Sequence, residues 1–454
     1  MVGALPIYLP KFGIDASVII PKYANAWISK QKTKILFESS FILGSEKINF
    51  AIEERTGDDL GFTLYFVDIP GKFDRANVYL AKDGNAYPDE IKRYISFQRS
   101  VLEYLIKGKQ SFDLLHCHDH MTGLISFMTK HHKSYKSLKD TPIVFTIHNG
   151  QYRGNFDWSN SELLGDYDTE KDGLLDWDGQ IHSLATGIKC SWKVTTVSPS
   201  YMEELQHDFD NLTSLVRFEK YKSSGIINGI DSNVWDPRTD PLIEKHLKRS
   251  ARVFKRENKK VLARDFDFSE KRPLVSFIGR FAYEKSADLL AGAFRQYLKY
   301  YDNVQFFILG SGDKEIEEAI VRLADDHPGN VKAVIAYNEK LAHQIYAASD
   351  FILMPSRFEP CGLNQMYAMR YGTIPMVRHT GGLKDTVPDI GDGGNGISFL
   401  RANEEDIIYS LGRAVELYED KLNFELLINK IMKLDFSWNR SAELYSDLYK
   451  STIN

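Results

Sequence analysis

The stretch Phe351-Ile-Leu-Met-Pro-Ser-Arg-Phe-Glu-Pro-Cys-Gly-Leu363 joins a strand-length apolar run to a polar turn. In an open α/β sheet, ligands bind beyond the carboxyl ends of the strands, and a helix N-terminus attracts phosphate. Glu359 and Gly362 follow such a strand, so the pattern favours a site for a phosphorylated ligand that carries hydroxyl groups. A plain loop, with Glu359 as a first-turn helix charge, explains the same residues equally well.

Short apolar runs alternate with amphipathic stretches on both sides of this segment, which is typical of a parallel sheet covered by helices. The predicted strands are residues 16–21, 47–52, 63–69, 112–117, 142–148 and 194–198 in the first half, and 274–279, 304–309, 331–336, 351–354 and 374–378 in the second. The predicted helices include residues 314–323, 339–348, 411–417, 422–431 and 442–449. We therefore predict an α/β chain with two Rossmann-like units.

The composition sets limits on the class of protein. At 454 residues the chain is long enough for two domains, and its 43% hydrophobic and 26% charged residues indicate packed cores rather than disorder. A net charge of −5 leaves no basic excess for a nucleic-acid partner. The three cysteines fit neither a disulfide framework nor a zinc knuckle, and no membrane-spanning run or signal peptide is visible. We expect a cytoplasmic protein with no membrane or nucleic-acid partner.

Charged side chains crowd the segment from residue 240 to residue 271, between the two predicted units. Such runs usually form solvated helix faces. We expect a solvated helix there, with the hinge between the domains in the same segment.

Two cations follow the first predicted strand of the second half. Arg280 comes directly after it, and Lys285 follows five residues later. An arginine binds phosphate bidentately and a lysine supplies a point charge, so the pair suits a diphosphate group. Surface cations are common, but this pair occurs in the same predicted sheet as the Glu359 turn.

Adjacent glycines occur in Arg378-His-Thr-Gly-Gly-Leu-Lys-Asp385, directly after another predicted strand. Gly381 and Gly382 permit close backbone approach, and their N–H groups would suit an anion. As a lone motif this signal is weak.

In the first half, His116-Cys-His118-Asp119 ends one predicted strand and Thr146-Ile-His148-Asn149 ends another. Metal ligation is one interpretation, but no further Cys or His pair has zinc spacing, and histidines in strands are often only hydrogen-bonded. Asp-x-Asp pairs raise the alternative of a metal that holds a diphosphate, at residues 166/168, 176/178, 208/210 and 265/267. Composition explains four such pairs in acidic loops better, so we predict no metal site.

Taken together, these residues resemble the bacterial glycogen synthases and plant starch synthases, which are retaining glycosyltransferases of the GT-B fold. The matching stretches run in the family's order over nearly the whole chain, at residues 2–6, 116–124, 145–149, 195–199, 225–231, 235, 280–285 and 355–386. The resemblance implies a starch-synthase-type acceptor-side domain at 1–255, a nucleotide-sugar-binding domain at 256–430, and a C-terminal helix at 431–454 that crosses back to the first domain. It also implies a deep cleft between the two Rossmann-like domains.

The resemblance also implies roles for residues in both halves. Arg280 and Lys285 would bind the diphosphate, and Glu359 would contact the donor glucose. His148 would lie near the anomeric carbon, and Asp119 toward the glucose and the acceptor. The donor-side set is completed by Cys361, Gly362, Leu363 and Thr380, and by Gly381 and Gly382, whose backbone amides would approach the leaving group. Cys361 is not expected to be a nucleophile, because the surrounding motif offers no base to generate a thiolate.

The implied reaction is the transfer of glucose from ADP-glucose or UDP-glucose to the non-reducing end of an α-1,4-glucan such as glycogen. In the family's front-face route the leaving phosphate helps to deprotonate the incoming hydroxyl, so cations and hydrogen-bonding groups stabilise the departing charge. No enzyme nucleophile, metal or other cofactor is then expected. The sequence distinguishes neither adenine from uracil nor one oligomeric state from another.

Two departures from the family pattern stand out. Members normally begin with a strand and a Lys-x-Gly-Gly-Leu loop, and this sequence begins just after the corresponding point; in addition, Ser286 stands where the family usually carries glycine. The first departure keeps two alternatives open, an N-terminally truncated synthase and a catalytically impaired glucan-binding or regulatory paralogue. Other GT-B enzymes, an epimerase or a pyridoxal-dependent glucan phosphorylase, are further alternatives.

Overall fold

The computed structural model describes residues 1–75, 77–79, 81 and 85–453, and the chain divides into two compact units. Unit 1 comprises Met1–Val197, Met202–Ile226 and Ser441–Asn454, and unit 2 comprises Ser198–Tyr201 and Ile227–Arg440. Packing therefore places residues 227–255, which the sequence prediction assigned to the first domain, in unit 2. Asn454, the end of the predicted C-terminal segment, lies outside the described residues.

Unit 1 contains two four-stranded sheets and one three-stranded sheet. The strands are β1 (Ser17–Pro21), β2 (Thr33–Leu43), β3 (Glu46–Arg55), β4 (Thr63–Asp68), β5 (Leu115–His118), β6 (Ile143–Ile147), β7 (Asn155–Phe156), β8 (Asp176–Trp177), β9 (Gln180–His182), β10 (Lys193–Thr196) and β11 (Ser223–Gly225). The first sheet has the order β1-β4-β3-β2, and the small sheet has the order β7-β9-β8. The sheet β11-β10-β6-β5 is parallel throughout, so the residues after β5 and β6 lie at one edge.

The longest strand of unit 1, β2, was not predicted. It pairs antiparallel with β3 through a tight turn in which Gly44 has a φ of 57°. Most side chains of β2 are exposed or half-buried, so its sequence shows little apolar alternation. The Gly44-Ser45 pair between two extended runs is the hairpin signal that would have found it.

The α-helices of the first half are short except for one. They are α1 (Leu5–Tyr8), α2 (Glu90–Lys107), α3 (Ile125–His131), α4 (Asp172–Leu175), α5 (Ser183–Cys190), α6 (Pro199–His207) and α7 (Thr213–Phe218). The long helix α2 contacts strands β2, β3 and β4 and covers one face of that sheet.

Unit 2 is built on one six-stranded parallel sheet. Its strands are β12 (Leu274–Ile278), β13 (Gln305–Gly310), β14 (Val331–Ile335), β15 (Phe351–Met354), β16 (Ile374–Arg378) and β17 (Ile397–Phe399), in the order β14-β13-β12-β15-β16-β17. Strands β13 and β15 are buried along their whole length, as a sheet covered on both faces requires. This strand order is that of a Rossmann fold, and it reverses between β12 and β15.

The helices of the second half are α8 (Ala251–Phe266), α9 (Leu290–Leu298), α10 (Lys314–Asp326), α11 (Glu339–Ala348), α12 (Asn364–Arg370), α13 (Gly381–Thr386), α14 (Glu404–Glu419), α15 (Lys421–Ile431) and α16 (Trp438–Ile453). No helix among the described residues is long and apolar enough to cross a membrane.

The charged segment before β12 does form a helix, α8, as expected, but two of its lysines are buried rather than solvated. Lys255 is buried, and its Nζ donates to the Tyr346 carbonyl at 3.0 Å and to Thr373 Oγ1 at 2.6 Å. Lys259 is also buried and forms an ion pair with Asp350 at 2.6 Å. The helix is therefore attached to the sheet by its charges as well as by Phe254 and Leu262.

Candidate functional site

In unit 2, the loops that follow β12 and β15 lie at the point where the strand order reverses, which is where Rossmann-like sheets bind ligands. Arg357, after β15, forms a bidentate ion pair with Asp288, after β12, at 2.6 and 2.8 Å. Its guanidinium also lies 3.8 Å from the centre of the Tyr283 ring. The sequence analysis did not predict these contacts of Arg357, which attach one loop to the other.

Lys285 and Glu359 form the central ion pair of these two loops. Lys285 Nζ lies 2.8 and 2.7 Å from the two carboxylate oxygens of Glu359, and Ser356 Oγ donates to Glu359 Oε2 at 2.9 Å. The Glu359 side chain is buried, whereas that of Lys285 is 27% exposed. The structure thus brings together two residues that lie 74 positions apart in the sequence.

Arg280 is placed differently from Lys285. Its side chain is 68% exposed and pairs with Glu284 on the same loop. Ser286, which follows Lys285, has a φ of 53° and is fully buried, and its hydroxyl has no hydrogen-bond partner. A left-handed backbone explains why glycine suits this position.

The two adjacent glycines allow two loops to pack closely. A Cβ on Gly381, whose φ is +44°, would lie 2.1 Å from the carbonyl oxygen of Glu359, and one on Gly382 would lie 2.1 Å from that of Cys361. The N–H of Gly382 donates to the Glu359 carbonyl at 3.1 Å. The sequence predicted that this amide would approach the leaving group. In the structure, the amide is bonded to the Glu359 loop.

The other predicted donor-side residues lie around the same loops. Cys361 is buried, and burial raises the pKa of its thiol to about 12, so the thiol is neutral at pH 7. Gly362 has a φ of +71°, and Leu363, which precedes α12, is partly exposed. Thr380 is buried at the start of α13.

In unit 1, Asp119 has an unusual backbone. Its φ of 56° and ψ of −179° fall in a region that is essentially restricted to glycine. Its Oδ1 accepts a hydrogen bond from the His148 N–H at 2.7 Å, and its own N–H donates to the Thr146 carbonyl at 2.9 Å. Burial raises the pKa of Asp119 to about 6, while the backbone N–H groups of His148 and Asn149 oppose that rise. Strain of this kind concentrates at functional sites.

Three histidine rings lie together beside Asp119. His118 Nδ1 is 3.1 Å from His148 Nε2, and the rings of His116 and His118 stack with centroids 4.3 Å apart. Burial lowers the pKa of His116 to about 3 and that of His148 to about 4, and it lowers the pKa of His118 well below its usual value. All three rings are therefore neutral at pH 7.

His116 is bonded at both ring nitrogens to protein groups. Its Nδ1 lies 2.6 Å from the Tyr449 hydroxyl, and its Nε2 lies 2.6 Å from Thr146 Oγ1, which in turn lies 2.5 Å from Thr195 Oγ1. The sequence analysis did not assign Tyr449. Within the described residues, no cluster of His, Cys, Asp or Glu has the geometry to hold a metal ion.

Comparisons with known proteins agree with these features. Residues 1–217 match the family described as starch synthase catalytic domain, and residues 258–425 match glycosyl transferases group 1. The chain is 43% identical to a glycogen synthase of Flavobacterium johnsoniae, covering 100% of this chain and 95% of the relative. It is 37% identical to a glycogen synthase of Bacillus cereus, covering 99% and 95%.

The solved catalytic domain of starch synthase IV from Arabidopsis thaliana, bound to ADP and acarbose, has the same fold. It superimposes with a TM-score of 0.86 at 31% identity, over 99% of this chain and 94% of that chain.

The chain belongs to the glycogen and starch synthase family. The predicted resemblance is confirmed, as is the GT-B fold with two Rossmann-like domains. This member of the synthase family is a hexosyltransferase that moves glucose from a nucleotide-glucose donor.

Proposed function

We propose that this synthase uses ADP-glucose as its donor and extends the non-reducing end of an α-1,4-glucan, with retention of the anomeric configuration. The observation that carries the proposal is the Lys285–Glu359 pair at the point where the strand order reverses, which combines a partly exposed lysine with a buried carboxylate. The ADP and acarbose named for the starch synthase IV structure support adenine and a glucan-like acceptor, with UDP-glucose as the alternative donor.

The roles in unit 2 follow from charge. When the bond between glucose C1 and the diphosphate oxygen breaks, negative charge develops on the diphosphate, and the Lys285 ammonium stabilises it. Arg280 adds a bidentate contact by exchanging its exposed bond to Glu284 for phosphate. The Glu359 carboxylate has four lone-pair directions, so it accepts hydrogen bonds from glucose hydroxyls while it holds Lys285 and Ser356.

The roles in unit 1 rest on neutral hydrogen bonding. His148, kept neutral by burial, contacts the glucose near its anomeric carbon without adding a charge. Asp119, fixed by the His148 N–H, accepts hydrogen bonds from the glucose or from the acceptor. The acceptor hydroxyl transfers its proton to the leaving phosphate as the new C1–O bond forms on the same face, so no enzyme nucleophile is needed.

Because two cations neutralise the diphosphate, we also propose that transfer needs neither a metal ion nor another cofactor. The three cysteines are free and buried, which fits a reducing compartment, and we propose the cytoplasm.

The test is transfer of labelled glucose to glycogen from ADP-glucose and from UDP-glucose, each with and without EDTA. The proposal expects α-linked product, faster transfer from ADP-glucose, and equal rates with EDTA. Faster transfer from UDP-glucose would overturn the donor assignment, and loss of activity with EDTA would overturn the metal-free route. Retention of the protein on glycogen without transfer from either donor would favour the glucan-binding paralogue.

A further inference from the structure

His118 is bonded to the residue that we place at the anomeric carbon. Its Nδ1 lies 3.1 Å from His148 Nε2, and burial keeps both rings neutral at pH 7. A neutral imidazole has one N–H and one acceptor nitrogen. One ring must therefore donate and the other accept across this contact, so the tautomer of His148 depends on that of His118.

The His118 ring is in turn held by His116. The two rings stack at 4.3 Å with their planes 30° apart. The ring of His116 is fixed at both nitrogens, because Nδ1 contacts the Tyr449 hydroxyl and Nε2 contacts Thr146 Oγ1, each at 2.6 Å. It has no freedom to rotate without breaking one of these contacts.

The hydrogen bonds on the two sides of His116 are coupled. Burial raises the pKa of the Tyr449 phenol well above its usual value, so the phenol keeps its proton at its contact with His116 Nδ1. A neutral imidazole donates through one nitrogen and accepts through the other, so the direction of the contact with Tyr449 sets that of the contact with Thr146 Oγ1, which in turn contacts Thr195 Oγ1. Every buried polar atom of this chain of contacts finds a partner, as low-dielectric surroundings require.

We propose that His118 and Tyr449 are positioning residues for the transfer reaction: His118 sets the orientation and tautomer of His148, and Tyr449 holds the His116 ring against which His118 stacks. This inference rests on the proposed role of His148 at the glucose. It gives Tyr449, on the last helix of the chain, a function in catalysis although it touches no substrate.

The first test compares two replacements of His118 of different polarity. The amide of His118→Asn offers a donor or an acceptor near the place of Nδ1, whereas His118→Leu offers neither. Because small misplacements of a reacting group cost about 100-fold in rate, we expect His118→Leu to lower kcat about 100-fold with the donor KM unchanged within about twofold. Rescue by His118→Asn to within about tenfold of the unaltered chain would show that the hydrogen bond, not ring volume, matters.

The second test compares two tyrosines on the same helix. Tyr449→Phe removes the hydroxyl that contacts His116 Nδ1, whereas Tyr445→Phe removes a hydroxyl that lies 3.7 Å from Met1 Sδ. Both rings are buried beside His116 and both variants keep the ring, so the two variants differ in which hydroxyl is removed. We expect Tyr449→Phe to lower kcat about fivefold, because the hydrogen bond of its hydroxyl holds the ring of His116 in place. Tyr445→Phe should change kcat by less than about twofold.

Histidine ¹⁵N spectra of the free protein separate this inference from the proposed function. The tautomer signal of His116 should change in Tyr449→Phe, and that of His148 should change in His118→Leu. Neither signal should change in Tyr445→Phe. If the unaltered chain transfers no glucose, the proposed function fails, and these spectra still decide whether His118 sets the His148 tautomer. A His118→Leu variant with unchanged kcat, or an unchanged His148 signal, would overturn the inference.

Discussion

The candidate site residues of unit 2 are held by opposite charges, whereas those of unit 1 are held by neutral hydrogen bonds. In unit 2, Lys285 forms an ion pair with Glu359, and part of its side chain meets solvent. In unit 1, burial lowers the pKa of His116, His118 and His148. The positive charge of unit 2 suits one part of the proposed reaction, because a departing diphosphate needs positive charge.

Removing the charge from unit 2 should have the largest effect. Lys285→Ala deletes the ammonium and leaves the buried Glu359 carboxylate without its cation. We expect kcat/KM for the donor to fall about 1000-fold, which is about 4 kcal/mol of transition-state stabilisation. Steady-state kinetics with labelled donor measures it, and Lys314→Ala, at an exposed position on α10, is the matched control. A Lys285→Ala enzyme within tenfold of the unaltered one would break the charge-based account of unit 2.

The close approach of the Gly381 and Glu359 loops should have the next largest effect, on stability. Gly381→Ala combines a left-handed φ with a Cβ 2.1 Å from the Glu359 carbonyl oxygen. We expect the free energy of unfolding to fall by about 4 kcal/mol, from backbone strain and overpacking together. Gly393→Ala is the control, because its φ of +72° is similar but no atom lies within 4 Å of the added Cβ. It should cost about 1 kcal/mol in urea unfolding, and equal losses in the two variants would refute the packing role.

Asp119 and His148 in unit 1 should make opposing contributions to the pH dependence of stability. The folded-state pKa of Asp119 is raised to about 6, so its stabilising contribution is present below pH 4 and is lost as pH rises through 6. The folded-state pKa of His148 is lowered to about 4, so its contribution is present above pH 6.5 and is lost as pH falls through 4.

Asp119→Asn removes the pH dependence that comes from Asp119 and keeps the one that comes from His148. Between pH 4 and pH 6.5, its free energy of unfolding should therefore gain up to about 3 kcal/mol relative to that of the unaltered chain. Urea unfolding across this range measures the difference. Asp113→Asn, at an exposed position before the same strand, should run parallel to the unaltered chain. A parallel curve for Asp119→Asn as well would show that burial does not hold the Asp119 carboxyl as inferred.

The smallest effect concerns the serine next to Lys285. Ser286→Gly relieves a left-handed φ of 53° and removes a buried hydroxyl without a partner. We expect the free energy of unfolding to rise by about 1 kcal/mol, since glycine's greater freedom in the unfolded chain offsets part of the gain. Ser286→Ala removes the hydroxyl but keeps the strained backbone, so a thermal melt of both variants separates the two causes. A destabilised Ser286→Gly would contradict this account.

In the charged segment before β12, the composition of the sequence does not indicate which side chains are buried. Its lysines look alike in the sequence, yet Lys255 and Lys259 are buried and Lys260 is exposed. Burial leaves Lys255, which has no carboxylate partner in its hydrogen bonds, with a pKa lowered to about 7. Which lysine is buried depends on the face that α8 turns toward the sheet, and a run in which nearly every residue is charged conceals that face.

The sequence alone determined the fold class, most of the strands and the residues that end them. These follow from local causes, namely apolar runs of strand length, the glycines and polar residues that stop them, and the regular spacing of helices between them. Glu359, Lys285, Asp119 and His148 were found because each lies at the end of a predicted strand or in the loop after it, within a motif of the family that the sequence resembles. Their partners were not, because a partner depends on how distant segments pack. Only the tertiary structure showed that Gly381 packs against the Glu359 carbonyl and that Tyr449 contacts His116, 333 positions away. Contacts between such distant residues produce no periodic pattern in the sequence.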